Sequence, residues 1–242
     1  MAPLYFEKKL EIHYDGSIDL LRLDAPFWRS LVRESGLNIL HAASTADVRS
    51  YLLAESSLLV WKHRLLLLTC GSGRLDAALN CLNAEASREC VVGMRYSFPE
   101  SATDPDFGFL ERQFANGTWE KQSPQSKPSI LEYSWSSVPR WLTDFSKNLI
   151  VSDFSERTFP KASLAALRDS EIVQEHDFSN GGYSCNICHG EDYLTVHFSP
   201  NPGGPYFSAD WRGFPGQIPP ILEAWQHQLG YASFPCCSAL KA

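Results

Sequence analysis

Long apolar stretches are missing from this sequence. The longest aliphatic run is Leu65 to Leu68, far short of the roughly 18 residues that a membrane-spanning helix needs. A Lys/Arg cluster is missing too: 21 basic residues are outnumbered by 28 acidic ones, giving a net charge of −7. That balance argues against a nucleic-acid backbone or an anionic membrane as the main partner. It leaves a cationic small molecule, such as an amine or a sulfonium, open. The opening Met-Ala-Pro-Leu-Tyr-Phe-Glu-Lys-Lys has no apolar core followed by small residues, so no secretory signal is read there. These absences lead to the expectation of a soluble, cytoplasmic protein. Convincing short repeats and low-complexity tracts are also lacking. What is present is a hydrophobic fraction of 44% over 242 residues, enough to pack a core and to exclude a wholly disordered chain.

Seven cysteines (Cys70, Cys81, Cys90, Cys185, Cys188, Cys236 and Cys237) make an odd set in a chain large enough to fold without covalent staples. Reduced thiols are the expectation, each a small buried hydrophobe unless its setting argues otherwise. Cys185-Asn186-Ile187-Cys188-His189 fits the C-x-x-C-H pattern of haem attachment. That chemistry needs an export or organelle route and a second axial ligand, and methionine occurs only at 1 and 94. Zinc held by the same thiols with Cys236 and Cys237 is the other metal reading, but adjacent cysteines chelate poorly. No metal is expected. Asn116-Gly117-Thr118 is read as a turn signal rather than a glycan site.

Period-two patterning predicts a first strand in which Leu4, Phe6, Leu10 and Ile12 share a face, Lys8 is that face's polar exception, and Glu7, Lys9 and Glu11 lie between or beside them. Asp24-Ala25-Pro26 opens a helix that runs through Trp28, Leu31 and Val32 to Gly36. Strands are predicted over 38–43, 48–54, 58–61 and 64–69, the last two joined by a tight Lys62-His63 turn; a helix follows over 74–82. Further strands are expected over 90–98, 129–135, 149–153, 172–178, 193–199 and 206–211, with helices over 105–114, 161–168 and 219–229. The stretch 116–128 reads as a loop and as the boundary between two halves of a single domain. Strands outnumber helices without regular alternation, so the fold class is α+β rather than doubly wound.

Four polar stretches interrupt this apolar pattern. Leu53-Ala54-Glu55-Ser56-Ser57 separates two strand-like runs and reads first as a hairpin turn. Thr69-Cys70-Gly71 puts a thiol at a strand end before a glycine-rich turn, where a buried structural cysteine competes with a nucleophile or acid. Gly181-Gly182-Tyr183-Ser184 reads as a flexible loop that delivers a hydroxyl. In Thr195-Val196-His197-Phe198-Ser199-Pro200 an imidazole points from one face of a strand, either as a satisfied structural group or as a catalytic one.

In order and spacing, these stretches resemble the eukaryotic-type S-adenosylmethionine decarboxylases, whose pyruvoyl cofactor is made from their own chain. Leu53-Ala54-Glu55-Ser56-Ser57 matches that family's Leu-Ser-Glu-Ser-Ser cleavage motif with Ala for the first Ser. Cys70 matches its Thr-Cys-Gly at the family's spacing from the cleaved serine, Gly182-Tyr183-Ser184 its Gly-Tyr-Ser loop, and His197 with Pro200 and Pro202 its strand histidine before Pro-x-Pro. Phe6-Glu7 and Phe178 also fit, and the likeness spans residues 4 to about 230.

The resemblance implies an αββα sandwich of two antiparallel sheets flanked by helices, with a last strand and tail expected to be missing. It implies self-cleavage between Glu55 and Ser56 by an N→O acyl shift, leaving a pyruvoyl group derived from Ser56. That group would form a Schiff base with the amine of the substrate, S-adenosylmethionine or a related amino acid, and serve as electron sink for its decarboxylation. Ser184 and His197 would assist processing, Cys70 would reprotonate the product, and Glu7 completes the catalytic set. Phe6 and Phe178 would stack the adenine, with Leu53, Glu55 and Asn201 completing the substrate site; Asn201 stands where the family has a ribose-binding Glu. Glu11 and Asp210 match an acidic cluster that binds putrescine in some members, while a strand Lys there is replaced by Leu68. One acid of the family's Phe-Glu-x-x-Glu opening is missing or shifted. Expected partners are the small-molecule substrate and a second copy in a homodimer, within polyamine metabolism. The competing reading is a catalytically silent or repurposed paralogue that regulates an active decarboxylase, or binds a ligand without cleavage.

Overall fold

The computed structural model describes residues 7–70, 73–99, 105–122, 130–137, 146–152, 154–201 and 205–230. Two antiparallel sheets lie face to face. The first has eight strands: β1 (Glu7–Tyr14), β2 (Ile39–Ser44), β3 (Val48–Leu53), β4 (Ser56–Trp61), β5 (Arg64–Cys70), β6 (Val91–Pro99), β7 (Thr118–Gln122) and β8 (Ile130–Ser136). Their spatial order is β2-β3-β4-β5-β1-β6-β8-β7. The second sheet contains β9 (Lys147–Ser152), β10 (Ile172–Asp177), β11 (Tyr183–His189), β12 (Asp192–Ser199) and β13 (Tyr206–Arg212), ordered β10-β11-β12-β13-β9.

Helices cover the outer face of each sheet, so the expected α+β class and αββα layering hold. On the first sheet lie α1 (Ala25–Glu34), α2 (Leu75–Glu85) and α3 (Pro105–Gln113). Asp24 caps α1 by accepting a hydrogen bond from the Phe27 amide, and Pro26 sits in the first turn. Trp28, Leu31 and Val32 of α1 then pack with Leu10, Ile12, Leu58, Val60, Leu65 and Leu67 of the sheet. The second sheet buries Val196, Phe198 and Phe207 against α4 (Ile218–Leu229) through Trp225 and Leu222.

Because strand side chains alternate, the opposite face of each sheet looks into the layer between them. Only part of that layer is apolar: Val48, Leu59, Trp61, Leu66 and Leu68 meet Ile172, Cys188 and Tyr193. The rest is polar and buried, including Glu7, Lys9, Glu11, Ser50, Ser57, Gln174, Ser184, Asn186, Thr195, His197, Ser208 and Asp210. On the helix-facing side of β1, Lys8 is accommodated by an ion pair to Asp106 at 2.8 Å.

Three expectations are corrected. Tyr183-Ser184 is not a flexible loop but the start of β11, paired with both β10 and β12. Its alternation was hidden because Tyr183, Cys185 and Ile187 face the helix-side core while Ser184 and Asn186 face the polar layer, so both faces are buried. Residues 118–122, expected to be loop, form β7 on β8, where Trp119 lies opposite Trp135. The 161–168 helix is a 3₁₀ helix, Lys161–Leu167. Cys185 and Cys188, three residues apart in β11, lie on opposite faces, which removes the haem and zinc readings. Among the described residues no group of three or more metal-binding side chains occurs, and no helix is long and apolar enough to cross a membrane.

Candidate active site

Ala54 and Glu55 form a two-residue turn between β3 and β4, whose Leu53 and Ser56 are cross-strand partners. Glu55 has φ of +52°. Tight hairpins ask for positive φ, which glycine or asparagine supplies cheaply; a glutamate there carries about 1–3 kcal/mol of backbone strain. The strained residue is the one whose carbonyl carbon would be attacked in the expected self-cleavage. Ser56 is 1% exposed, and strand alternation places it with Leu58 and Val60 on the helix-facing side. Ser57, the next residue, faces the polar layer.

Ser184 and His197 are direct cross-strand partners. Ser184 Oγ lies 3.0 Å from His197 Nδ1, and Ser57 Oγ lies 3.1 Å from His197 Nε2. Thr195, two residues before the histidine on the same face, puts Oγ1 2.9 Å from Ser57 Oγ and 3.3 Å from Nε2. Complete burial without a carboxylate partner pushes the imidazole down to about 3, so it is neutral and keeps a lone pair at any working pH. The structure thus joins Ser184 with His197, and joins both to the cleavage-motif strand through Ser57.

Glu7 reaches the same row of side chains from the other sheet. Ser208, the cross-strand partner of His197 on β13, donates a 2.6 Å hydrogen bond to Glu7 Oε2. Burial, reinforced by the Asp210 charge and only partly offset by Ser208 and Lys9, raises the Glu7 carboxyl to about 7. A carboxyl that titrates near neutrality suits proton transfer. Cys70 ends β5 as the backbone partner of Glu7; its side chain lies outside the described residues.

Among the expected substrate contacts, Phe6 lies outside the described residues. Leu53 is buried in the helix-side core. Burial raises the Glu55 carboxyl, and a hydrogen bond to Ser199 partly offsets this. Asn201 Nδ2 donates to Ser199 Oγ at 3.0 Å, so Ser199 links Glu55 to Asn201. Phe178 begins the turn into β11, its amide donating to the Gly182 carbonyl, and packs edge-on against His176 at 4.6 Å. A Cβ on Gly182 would meet the Phe178 ring at 3.3 Å and the Phe198 carbonyl at 3.2 Å, so the close approach calls for glycine.

Glu11 and Asp210 come together on either side of an ammonium that sequence reading left out. Lys9 Nζ bonds Asp210 and Ser146 and lies 4.0 Å from Glu11 Oε2. Burial would raise Glu11, but the His13 hydrogen bond and the Lys9 and Arg64 charges hold it well below the usual carboxylate range. Burial keeps Asp210 raised despite Lys9 and the Tyr193 hydroxyl. Ser57, Asn186, Thr195, Ser208 and Lys9 were all missed as site residues. Thr195 was legible by alternation, two residues before His197 on the same face; the others needed the sheet-on-sheet register.

The comparisons with known proteins bear on this geometry. The family profile for adenosylmethionine decarboxylase matches residues 5–128, just over half of the chain. The S-adenosylmethionine decarboxylase proenzyme of Onchocerca volvulus is 28% identical over 84% of this chain and 66% of its own length. The proenzyme of Trypanosoma brucei brucei is 29% identical over 80% of this chain and 63% of its own length. That of Leishmania donovani is 27% identical over 79% of this chain and 59% of its own length. The chain therefore spans about three fifths to two thirds of these relatives. With two antiparallel sheets enclosing a buried hydroxyl–imidazole row and a profile match over half its length, the chain belongs to the adenosylmethionine decarboxylase family.

Proposed function

We propose that this protein is a self-processing, pyruvoyl-dependent decarboxylase of S-adenosylmethionine or a related amino acid. The observation that carries the reading is the neutral His197 imidazole, held between Ser184 and Ser57, with the strained Glu55 two residues before Ser57.

The residues fit a pyruvoyl group. Positive φ at Glu55 destabilises the intact Glu55–Ser56 turn, so rearrangement there relieves strain. In processing, Ser56 Oγ adds to the Glu55 carbonyl carbon, and the peptide C–N bond breaks as the ester C–O bond forms. The imidazole then takes the Ser56 α-proton, the ester oxygen leaves with Glu55 as its carboxylate, and water releases ammonia from the resulting enamine to leave the α-keto group. Ser184 orients the imidazole from Nδ1 and then turns its one proton to the oxygen that becomes negative during addition, which frees the ring lone pair to act as base. Once formed, the keto group would supply the electron sink for loss of CO₂ from an α-amino acid. Glu7 at about 7 can hold or release a proton beside Ser208, and Cys70 at the adjoining strand end is the second proton donor proposed. Phe178 offers an aromatic face, and Asn201 offers a neutral amide for sugar hydroxyls where an acid would make stronger, charge-assisted bonds.

Intact mass under denaturing, reducing conditions, beside a Ser56→Ala control, tests the reading. Two fragments divided between 55 and 56, the longer reacting with a carbonyl reagent, are expected. A single uncleaved chain, unchanged after long incubation with or without putrescine, refutes it. The second reading is an uncleaved family member that binds a ligand or regulates an active decarboxylase. It draws support from Ser57, rather than Ser56, holding the hydrogen bond to His197.

A further inference from the structure

Every group around His197 is buried, so each hydrogen bond there has a direction that can be worked out by elimination. The chain begins two strands away. Gln174 of β10 lies with Nε2 3.3 Å from the Ser50 carbonyl oxygen and Oε1 2.6 Å from Ser50 Oγ. Ser50 Oγ is 3.1 Å from the Asn186 amide, whose other end is 2.6 Å from Ser57 Oγ.

A backbone carbonyl only accepts, so Gln174 must present its NH₂ to Ser50 O and its oxygen to the Ser50 hydroxyl. Ser50 then spends its single proton on Gln174. Its oxygen can only accept from Asn186, which must present NH₂ to Ser50 and Oδ1 to Ser57. Ser57 in turn commits its proton to Asn186, so its oxygen accepts from the ring nitrogen at 3.1 Å, His197 Nε2. The Thr195 hydroxyl has one proton and two neighbours, Ser57 Oγ at 2.9 Å and His197 Nε2 at 3.3 Å, and the shorter contact sends that proton to Ser57 rather than to the ring. The Cys188 thiol also touches Ser50 but is too weak a partner to reverse the chain. A neutral imidazole with a proton on Nε2 has its lone pair on Nδ1, which accepts from Ser184.

We propose that Gln174 is a positioning residue that fixes the His197 tautomer, with Nε2 protonated and Nδ1 the basic nitrogen, by orienting Ser50, Asn186 and Ser57 from the Ser50 carbonyl. This deepens the self-processing reading and rests on it for its effect on rate. The tautomer itself is a property of the folded chain whether or not cleavage occurs. Gln174 touches no reacting atom, and its loss frees Asn186 to turn over, Ser57 to donate to Nε2, and the proton to move to Nδ1.

The test uses the full chain labelled with ¹⁵N-histidine and carrying Ser56→Ala, so that one unprocessed species is observed. Ring ¹⁵N–¹H correlation spectra, with His197 assigned through His197→Asn, should show a pyrrole-like Nε2 and a pyridine-like Nδ1. Adding Gln174→Met should give a mixed or reversed pattern at His197 while the other histidines stay unchanged. Gln174→Glu, which still forces Ser50 to donate, should restore the parent pattern. In the chain with Ser56 intact, Gln174→Met should slow self-cleavage at least tenfold and Gln174→Glu should recover most of that loss. A parent spectrum with the proton on Nδ1 overturns the proposal, as does a folded Gln174→Met chain with the parent tautomer. A parent spectrum as expected, in a chain that never cleaves, would leave the tautomer assignment standing and remove the processing reading alone.

Discussion

Replacing Lys9 by methionine keeps the length of the side chain and removes its charge from between two buried carboxylates. Lys9 is 2% exposed, Asp210 1% and Glu11 0%. At the 4.0 Å that separates Lys9 Nζ from Glu11 Oε2, an effective dielectric of about 20 gives an attraction of about 4 kcal/mol. Breaking a buried pair from one side generally costs about 3–5 kcal/mol, because the stranded charge is not rehydrated. Urea unfolding followed by tryptophan fluorescence, in a Ser56→Ala background so that one species unfolds, should show a loss of that size. The slope against urea should stay constant. Burial already raises Asp210, and losing the ammonium raises it further. A raised carboxyl favours the folded state below its unfolded value and loses that contribution as pH rises through the folded one. The Lys9→Met penalty should therefore be greatest at pH 8 and shrink as the pH falls toward 5. Adding Asp210→Asn should recover part of the loss, since one of the two stranded carboxylates is then neutral while Glu11 keeps only His13 and Arg64 to offset its burial. A single variant that costs less than about 1 kcal/mol, or a double variant as weak as the single, would refute the assignment of Lys9 as the counter-ion of this layer.

Three further outcomes follow from the same geometry. Putrescine should leave the thermal midpoint of the parent chain unchanged, because an ammonium already sits on Asp210, and should raise that of Lys9→Ala, in which the cation is missing; differential scanning fluorimetry reads both. Glu7, raised from 4.5 to about 7, costs the fold stability as pH rises through neutrality, so Glu7→Gln should flatten the pH dependence between 5 and 8 and be more stable at pH 8 by up to about 3 kcal/mol; equilibrium denaturation across that range checks it. Glu55→Gly in the Ser56→Ala background should stabilise the β3–β4 turn by about 1 kcal/mol, since glycine adopts positive φ without a Cβ penalty; a lower urea midpoint would contradict the strain assigned there.

The sequence made the helix-facing half of the fold legible because that half is built from ordinary amphipathic patterns. Leu10 and Ile12 on β1, Trp28, Leu31 and Val32 on α1, and the Asp24 cap with Pro26 all lie where periodicity and capping put them. The inter-sheet half was harder to read, since its buried face carries Ser, Asn, Thr, Lys and Glu, which ordinarily mark a solvated face. Tyr183-Ser184 at the head of β11 reads as a loop for that reason, and 185–189 carry no strand signal. Ser184 and His197 were found individually, but their adjacency depends on the β11–β12 register. The turn at Glu55 was predicted, while its two serines proved to open β4 on opposite faces. Lys9 went unnoticed as a site residue because its partner Asp210 is 201 positions away, and no local pattern reports so distant a pairing.

Strand order also decides what a backbone break at residue 55 can release. The first 55 residues supply β1, β2 and β3, while β4 onward belongs to the remainder. β1 does not lie at an edge: it runs between β5 and β6, hydrogen-bonded along most of its length to both. β3 is likewise zipped to β4, and Lys9 of β1 is clasped by Asp210 of the distant sheet. The two pieces would be interlocked like the tines of two combs, and withdrawing the shorter would split the eight-stranded sheet down its middle. Cleaved protein should thus migrate as one particle under native conditions, with its severed bond invisible until denaturant pulls the combs apart.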